Sequence, residues 1–227
     1  MADAVILEAV RTPFGKRDGA YRETRPDGLL ACALQELVAR GRVEMAQVED
    51  VITGCVTQVG EQAANVGRLA TLLAGFPPEV PAVTLDRMCG SSQQAVHFAA
   101  QAIAAGDMQL AIGAGVENMT RVPMFSNLGG GFEKLNPDLL AQHELIHQGE
   151  SAERIAEKWG ISRQELDEYA AESHRRAQQA AEAGRHSELV PMEGVDGEGD
   201  PMMLRRDEGI RAVIDMEKMA QLPTVFR

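Results

Sequence analysis

The apolar residues of this chain fall into short runs that are apolar on both faces, and longer segments of helical period separate them. Asp3 to Val10 reads as a buried strand, followed by the charged, Gly- and Pro-bearing loop RTPFGKRDGAYRETRP. Asp27 to Arg40 reads as a helix with Leu29, Leu30, Ala33, Leu34 and Leu37 on one stripe. Val48 to Thr57 is a second strand. Asn65 to Leu73 is a short helix, ended by Gly75 and the Pro77-Pro78 break. Val80 to Leu85 is a third strand, and Gln93 to Ala105 a helix with a small-residue face that leaves through Gly106. Leu110 to Val116 is a fourth strand, whose glycines point to close backbone approach. Doubly apolar strands alternating with helices predict a layered α/β domain with a mostly parallel sheet.

The pattern changes after Glu117. Asn118 to Leu140 carries Gly, Pro and Met with little period, and Ser151 to Lys158 reads as a helix. The clearest helical signal is SRQELDEYAAESHRRAQQAAEAG: Ser162 and Glu165 form a capping box and Gly184 stops it. A Gly- and acid-rich turn, GVDGEGDP, follows. Residues 118–227 therefore read as a helical and looped excursion and not as a second sheet domain.

Composition narrows the class. The chain has 227 residues, and 44% of them are hydrophobic but only 4% aromatic, so Ala, Val, Leu, Ile and Met must fill the core. A formal charge of −12 argues against a nucleic-acid partner, which needs a basic face. No run has the length of a membrane span, and no signal peptide is evident. Cys32, Cys55 and Cys89 lack C-x-x-C spacing and sit in no Cys/His cluster, so neither a disulfide scaffold nor a metal is expected. A reducing, cytoplasmic setting is the expectation.

Cys89 is the candidate for chemistry. It lies in TLDRMCGSSQQAVHFAAQAIAAG, where a strand-like segment turns into a helical one. The start of a helix carries partial positive charge and unpaired N–H donors, which favour a thiolate able to carry an acyl group. A lone cysteine is equally well an inert packing residue. His97 lies two helical turns beyond Cys89 and reads as a packing residue, while His143, His174 and His186 read as surface groups. Arg205, Arg206 and Arg211 form a basic patch that could meet phosphates or simply be solvated.

Five stretches in order carry a resemblance: VILEAVRTPFGKRDG, GCVTQVGEQAANVGRLATLLAG, LDRMCGSSQQAVHFAAQAIAAGD, AIGAGVENMTRVPM and, more weakly, HQGESAERIAEKWGISRQELDEYAAESHRRAQQA. With them the chain resembles the thiolase family, acyltransferases that make or cleave β-ketoacyl thioesters of coenzyme A. The resemblance implies a thiolase-like layered fold, of which residues 1–117 are most of the N-terminal α/β domain. Residues 118–227 would be the loop domain covering coenzyme A. It implies that Cys89 is the nucleophile, its backbone N–H an oxyanion donor, and His147, Gln148 and Arg211 coenzyme A contacts. It implies acyl-CoA and coenzyme A as substrates with no bound cofactor, and a homodimer or homotetramer.

The sequence also departs from the family pattern. Ser92 stands where a glycine is usual, and Gln148 where many relatives carry methionine. The resemblance covers only the first of two similar halves. The second half supplies the family's Gly-His-Pro histidine and second catalytic cysteine, and neither motif occurs in these 227 residues. The implied activity is therefore that of a parent protein or of this chain beside a C-terminal-half polypeptide, with little turnover alone. Two other readings keep the fold without the chemistry: a non-catalytic interaction subunit, and a coenzyme A-binding module.

Overall fold

The computed structural model describes residues 3–227. Helix α1 spans Pro26–Gly41, with Pro26 opening it, Asp27 in its first turn and Arg42 in the left-handed region closing it. Strand β1 (Asp50–Gly54) follows, then α2 (Val66–Leu73), capped by the Asn65 side chain. Next come β2 (Ala82–Leu85), α3 (Ser91–Ala105) and β3 (Ala111–Gly115). Gly106 leaves α3 at φ 85°. The three strands form one parallel sheet in the order β2-β1-β3, with Ile52 opposite both Val83 and Gly113.

Strand alternation assigns the two faces. Val51 and Ile112 point into a core with Leu30, Leu34 and Val38 of α1 and Ala70 of α2. Ile52 points the other way, against Ala95 and Ala99 of α3. The sheet is thus a middle layer between helices. Three glycines bring α3 close to it: a Cβ on Gly113 would lie 2.7 Å from the Val96 Cα, and Cβ atoms on Gly54 and Gly115 would strike Ser91 and Ser92.

The expectation for Asp3 to Val10 is corrected. This segment is in no strand, and Val5, Ile6 and Leu7 are exposed. Its composition suits a strand, but a strand exists only where a neighbour takes its backbone bonds. Among the described residues no ladder reaches it.

Contacts divide the chain into two units. One takes the residues up to Asn127 and then Glu188–Glu208; the other takes Leu128–Ser187 and Gly209–Arg227. The return of Glu188–Glu208 to the first unit includes a β-hairpin that the sequence reading missed: β4 (Met192–Val195) pairs antiparallel with β5 (Pro201–Leu204). The Asp196 carboxylate accepts the Glu198 and Asp200 N–H groups to shape its turn. Leu204 packs with Ala20, Tyr21 and Leu29. Beyond the hairpin, the buried Asp207 accepts both Arg11 guanidinium branches, at 2.7 and 3.1 Å, and the Phe14 N–H at 2.8 Å. Removing one member of such a pair leaves a charge or donor uncompensated. Asp207→Ala is expected to lower stability by about 3 kcal/mol in urea titration, toward the low end for a buried pair because Arg11 keeps partial access to water.

In the second unit are α4 (Pro137–Gln142), α5 (Gln148–Trp159), α6 (Arg163–Glu182) and α7 (Met216–Ala220). The Ser162–Glu165 capping box opens α6. Arg163 reaches from that first turn to the Met219 carbonyl at 2.7 Å, satisfying an acceptor at the end of α7. Among the described residues no helix is long and apolar enough to cross a membrane.

Candidate active site

Cys89 stands one residue before the N-cap of α3, and its side chain is exposed. The corner that carries it is tightly bonded. The Met88 N–H donates to the Asp86 carboxylate at 2.7 Å, and the Arg87 N–H to the Ser91 hydroxyl at 2.9 Å. That hydroxyl donates to the Met88 carbonyl at 2.6 Å. Arg87 also reaches the buried Gln94 side chain. Met88 is held at φ 50°, in the left-handed region that bulky side chains avoid. The turn therefore projects the thiol outward at the helix start. Gly90, the N-cap, offers no side-chain acceptor, and the first turn holds no acidic residue. A helix start of this kind carries partial positive charge.

The corner rests on the sheet ends. Ser92 carries its Cβ and hydroxyl into space that exists because Gly115 has no side chain: a Cβ there would lie 2.1 Å from the Ser92 Oγ. Ser92 is thus accommodated by a glycine of β3. Gly113 and Gly115, whose place in the fourth strand pointed to close backbone approach, serve the packing of α3.

Glu117, just past β3, ties the neighbouring turn together. Its carboxylate accepts the Val56 and Thr57 N–H groups at 2.9 and 3.3 Å and the Gln62 side chain at 2.6 Å. Gln62, fully buried, returns a bond by accepting the Asn118 N–H at 2.8 Å. Asn118 in turn donates to the Tyr21 and Thr24 carbonyls. Sequence spacing gave no sign of this network.

The three thiols differ. Burial pushes Cys55 up to about 12, helped by the Glu117 and Asp86 charges. Burial also raises Cys32, with Glu36 adding to it. Iodoacetamide at pH 8 is therefore expected to modify Cys89 first, Cys32 slowly, and Cys55 only on unfolding, as read by peptide mapping.

In the second unit His147 is exposed and is the N-cap of α5, its Nδ1 accepting the Gly149 N–H at 3.1 Å. Its neutral form then carries the proton on Nε2. The Phe226 ring lies 4.9 Å from the imidazole, a neighbour that sequence reading missed. Only a glycine at 149 permits it, since a Cβ there would lie 2.0 Å from that ring. Gln148 begins α5 and is exposed. Arg211 lines a different feature, an open depression of about 1140 Å³ shared with Gln179, Arg175 and Ile214. Its N–H donates to His174 at 3.3 Å. Arg205 and Arg206 belong to the first unit, so the basic patch is divided between the units. His97, expected to pack, is exposed on α3. Among the described residues no group of three or more His, Cys, Asp and Glu side chains is placed to hold a metal ion.

A parallel sheet between helices, with an exposed cysteine at a strand-to-helix corner, defines a layered α/β protein. The chain matches the family described as Thiolase, N-terminal domain, over residues 4–227, and it belongs to the thiolase family. It is 42% identical to a steroid 3-ketoacyl-CoA thiolase of Mycobacterium tuberculosis, covering 98% of this chain and 56% of that protein. It is 39% identical to a β-ketoadipyl-CoA thiolase of Acinetobacter baylyi, covering 100% of this chain and 61% of that one. Its fold superposes on the crystal structure of the Bacillus anthracis acetyl-CoA acetyltransferase with a TM-score of 0.86 at 33% identity, covering all of this chain and 60% of that one. The chain thus spans 56 to 61% of the curated relatives named here.

Proposed function

We propose that Cys89 is the nucleophile of acyl transfer between coenzyme A thioesters. Its sulfur attacks the thioester carbonyl, the bond from that carbon to the coenzyme A sulfur breaks, and an acyl-cysteine remains as coenzyme A leaves with a proton. The Cys89 N–H and the first turn of α3 stabilise the oxyanion. The observation that carries this reading is the exposed thiol on a bonded, positive-φ corner before an uncapped helix start. Its support is membership of a family whose named relatives are thiolases.

Coenzyme A falls to residues 118–227 in this reading. His147 and Gln148, with the Phe226 ring beside His147, meet the pantetheine arm, and Arg211 meets the adenine side. No resident cofactor takes part. A proton acceptor for the thiol and a second acid/base come from other polypeptide, so this chain alone transfers an acyl group to Cys89 and stops. The working form is a cytoplasmic homodimer or homotetramer. The test is incubation with coenzyme A thioester labelled in the acyl group, followed by denaturation. Label that stays on the protein, and is lost in Cys89→Ser, supports the nucleophile. Label that binds and then leaves on denaturation marks a coenzyme A-binding module instead, and no binding marks an interaction subunit.

A further inference from the structure

The Cys89 corner is a tight backbone turn. The Gly90 N–H donates to the Arg87 carbonyl at 3.1 Å, which makes Met88 and Cys89 the two central residues. Met88, the first of them, has φ 50°. Turns with positive φ at that position draw on Gly, Asn and Asp, because other side chains crowd their own backbone there. Methionine has neither the small size of glycine nor a polar group to bond locally. The conformation must therefore be held from outside Met88.

Two side chains bond the turn at Met88. The Asp86 carboxylate accepts the Met88 N–H at 2.7 Å, but Asp86 is exposed and water competes for that bond. Ser91 is only 4% exposed. Its hydroxyl accepts the Arg87 N–H at 2.9 Å and donates to the Met88 carbonyl at 2.6 Å. One oxygen thus ties the backbone on both sides of Met88, where water is excluded. The Ser91 N–H adds a bond to the same Met88 carbonyl at 3.0 Å. Ser91 is also the first residue of α3, so the turn is fixed to the helix start.

We propose that Ser91 is a positioning residue for acyl transfer: its hydroxyl holds Met88 at positive φ, and through that turn it sets the Cys89 sulfur and the Cys89 N–H toward one thioester carbonyl. This rests on the reading of Cys89 as the nucleophile. Ser91 touches no reacting atom. The new bond runs from the Cys89 sulfur to the acyl carbon, the bond from that carbon to the coenzyme A sulfur breaks, and coenzyme A carries off the proton. Without the hydroxyl, Met88 relaxes toward negative φ and turns the next residue, Cys89, away from that line of attack. Acylation then slows because the geometry is lost, while the thioester binds as before.

The test follows transfer of label from acetyl-CoA, labelled in the acetyl group, to the intact chain across a range of acetyl-CoA concentrations. Circular dichroism checks each variant for folding. Ser91→Ala is expected to lower the maximal rate of acylation at least about tenfold and to leave the half-saturating concentration within about twofold. Adding Met88→Gly to Ser91→Ala is expected to raise that rate again by at least about threefold, since glycine takes positive φ without help. A merely structural serine would give no such recovery. Equal maximal rates with and without the Ser91 hydroxyl overturn this proposal alone, whereas no transfer to the unaltered chain removes the nucleophile and this proposal with it. A raised half-saturating concentration at an unchanged maximal rate overturns it, as does a loss that Met88→Gly leaves in place. If Ser91→Ala does not fold, return of the folded spectrum on adding Met88→Gly supports the proposal, and failure to return overturns it.

Discussion

Gly54→Ala is expected to destabilise the protein by about 3 kcal/mol and to slow modification of Cys89 in the same variant. Gly54 ends β1 directly beneath the start of α3. A Cβ added there would lie 2.3 Å from the Ser92 nitrogen and 2.4 Å from the Ser91 carbonyl carbon. Both are backbone atoms, so no rotamer change relieves the clash and the helix start itself must move. That start is locked to the corner through Ser91, whose hydroxyl bonds Arg87 and Met88. Cys89 lies between those residues and must move with them. Gly28→Ala is the control. It sits in α1 with nothing within 4 Å of an added Cβ, and it should raise stability by about 0.5–1 kcal/mol. Urea titration and alkylation rates on the two variants separate a packing effect at Gly54 from the general effect of replacing glycine.

Thiolysis of acetoacetyl-CoA by this chain alone should fall at least about 10²–10⁴-fold below that of the chain mixed with the C-terminal half of a thiolase. That factor is what a single positioned acid or base typically supplies, and the reaction needs one to deprotonate the thiol and another to move the α-proton. Of the five histidines in the chain, His97 is the one on α3, and it is exposed two turns beyond Cys89. Burial, helped by the Glu117 charge, pushes the thiol of deeply buried Cys55 up to about 12, so it stays protonated at neutral pH and is a poor second acid/base there. Robust turnover by the isolated chain would mean that a base within these 227 residues had been overlooked.

Local signals carried much of the fold. The Ser162–Glu165 box, Asn65 before α2 and Gly106 after α3 mark helix ends through backbone bonds made within a few residues, so they are legible one segment at a time. Pairing is different. Asp3 to Val10 has a strand's composition, but whether it bonds depends on a neighbour that local sequence does not name. The hairpin escaped notice for the opposite reason. Its strands have four residues each, one contains Glu193 and the other begins with Pro201, so alternation is too short to register. The corner at Cys89 was legible as a change from strand to helix pattern. The left-handed Met88 beside it was not, because nothing in a methionine signals positive φ. Glu117 reaching Gln62, and Phe226 lying on Gly149, are contacts 55 and 77 positions apart in sequence, formed only when the chain folds.

Mapping the acyl group tests the central claim most directly. The intact chain is mixed with acetyl-CoA, quenched in acid and digested, and each cysteine peptide is weighed. The account predicts one acetyl group, on the peptide holding Cys89, with Cys32 and Cys55 unmodified. Acetyl on either of those two thiols, or on none of the three while the protein remains folded, would contradict it.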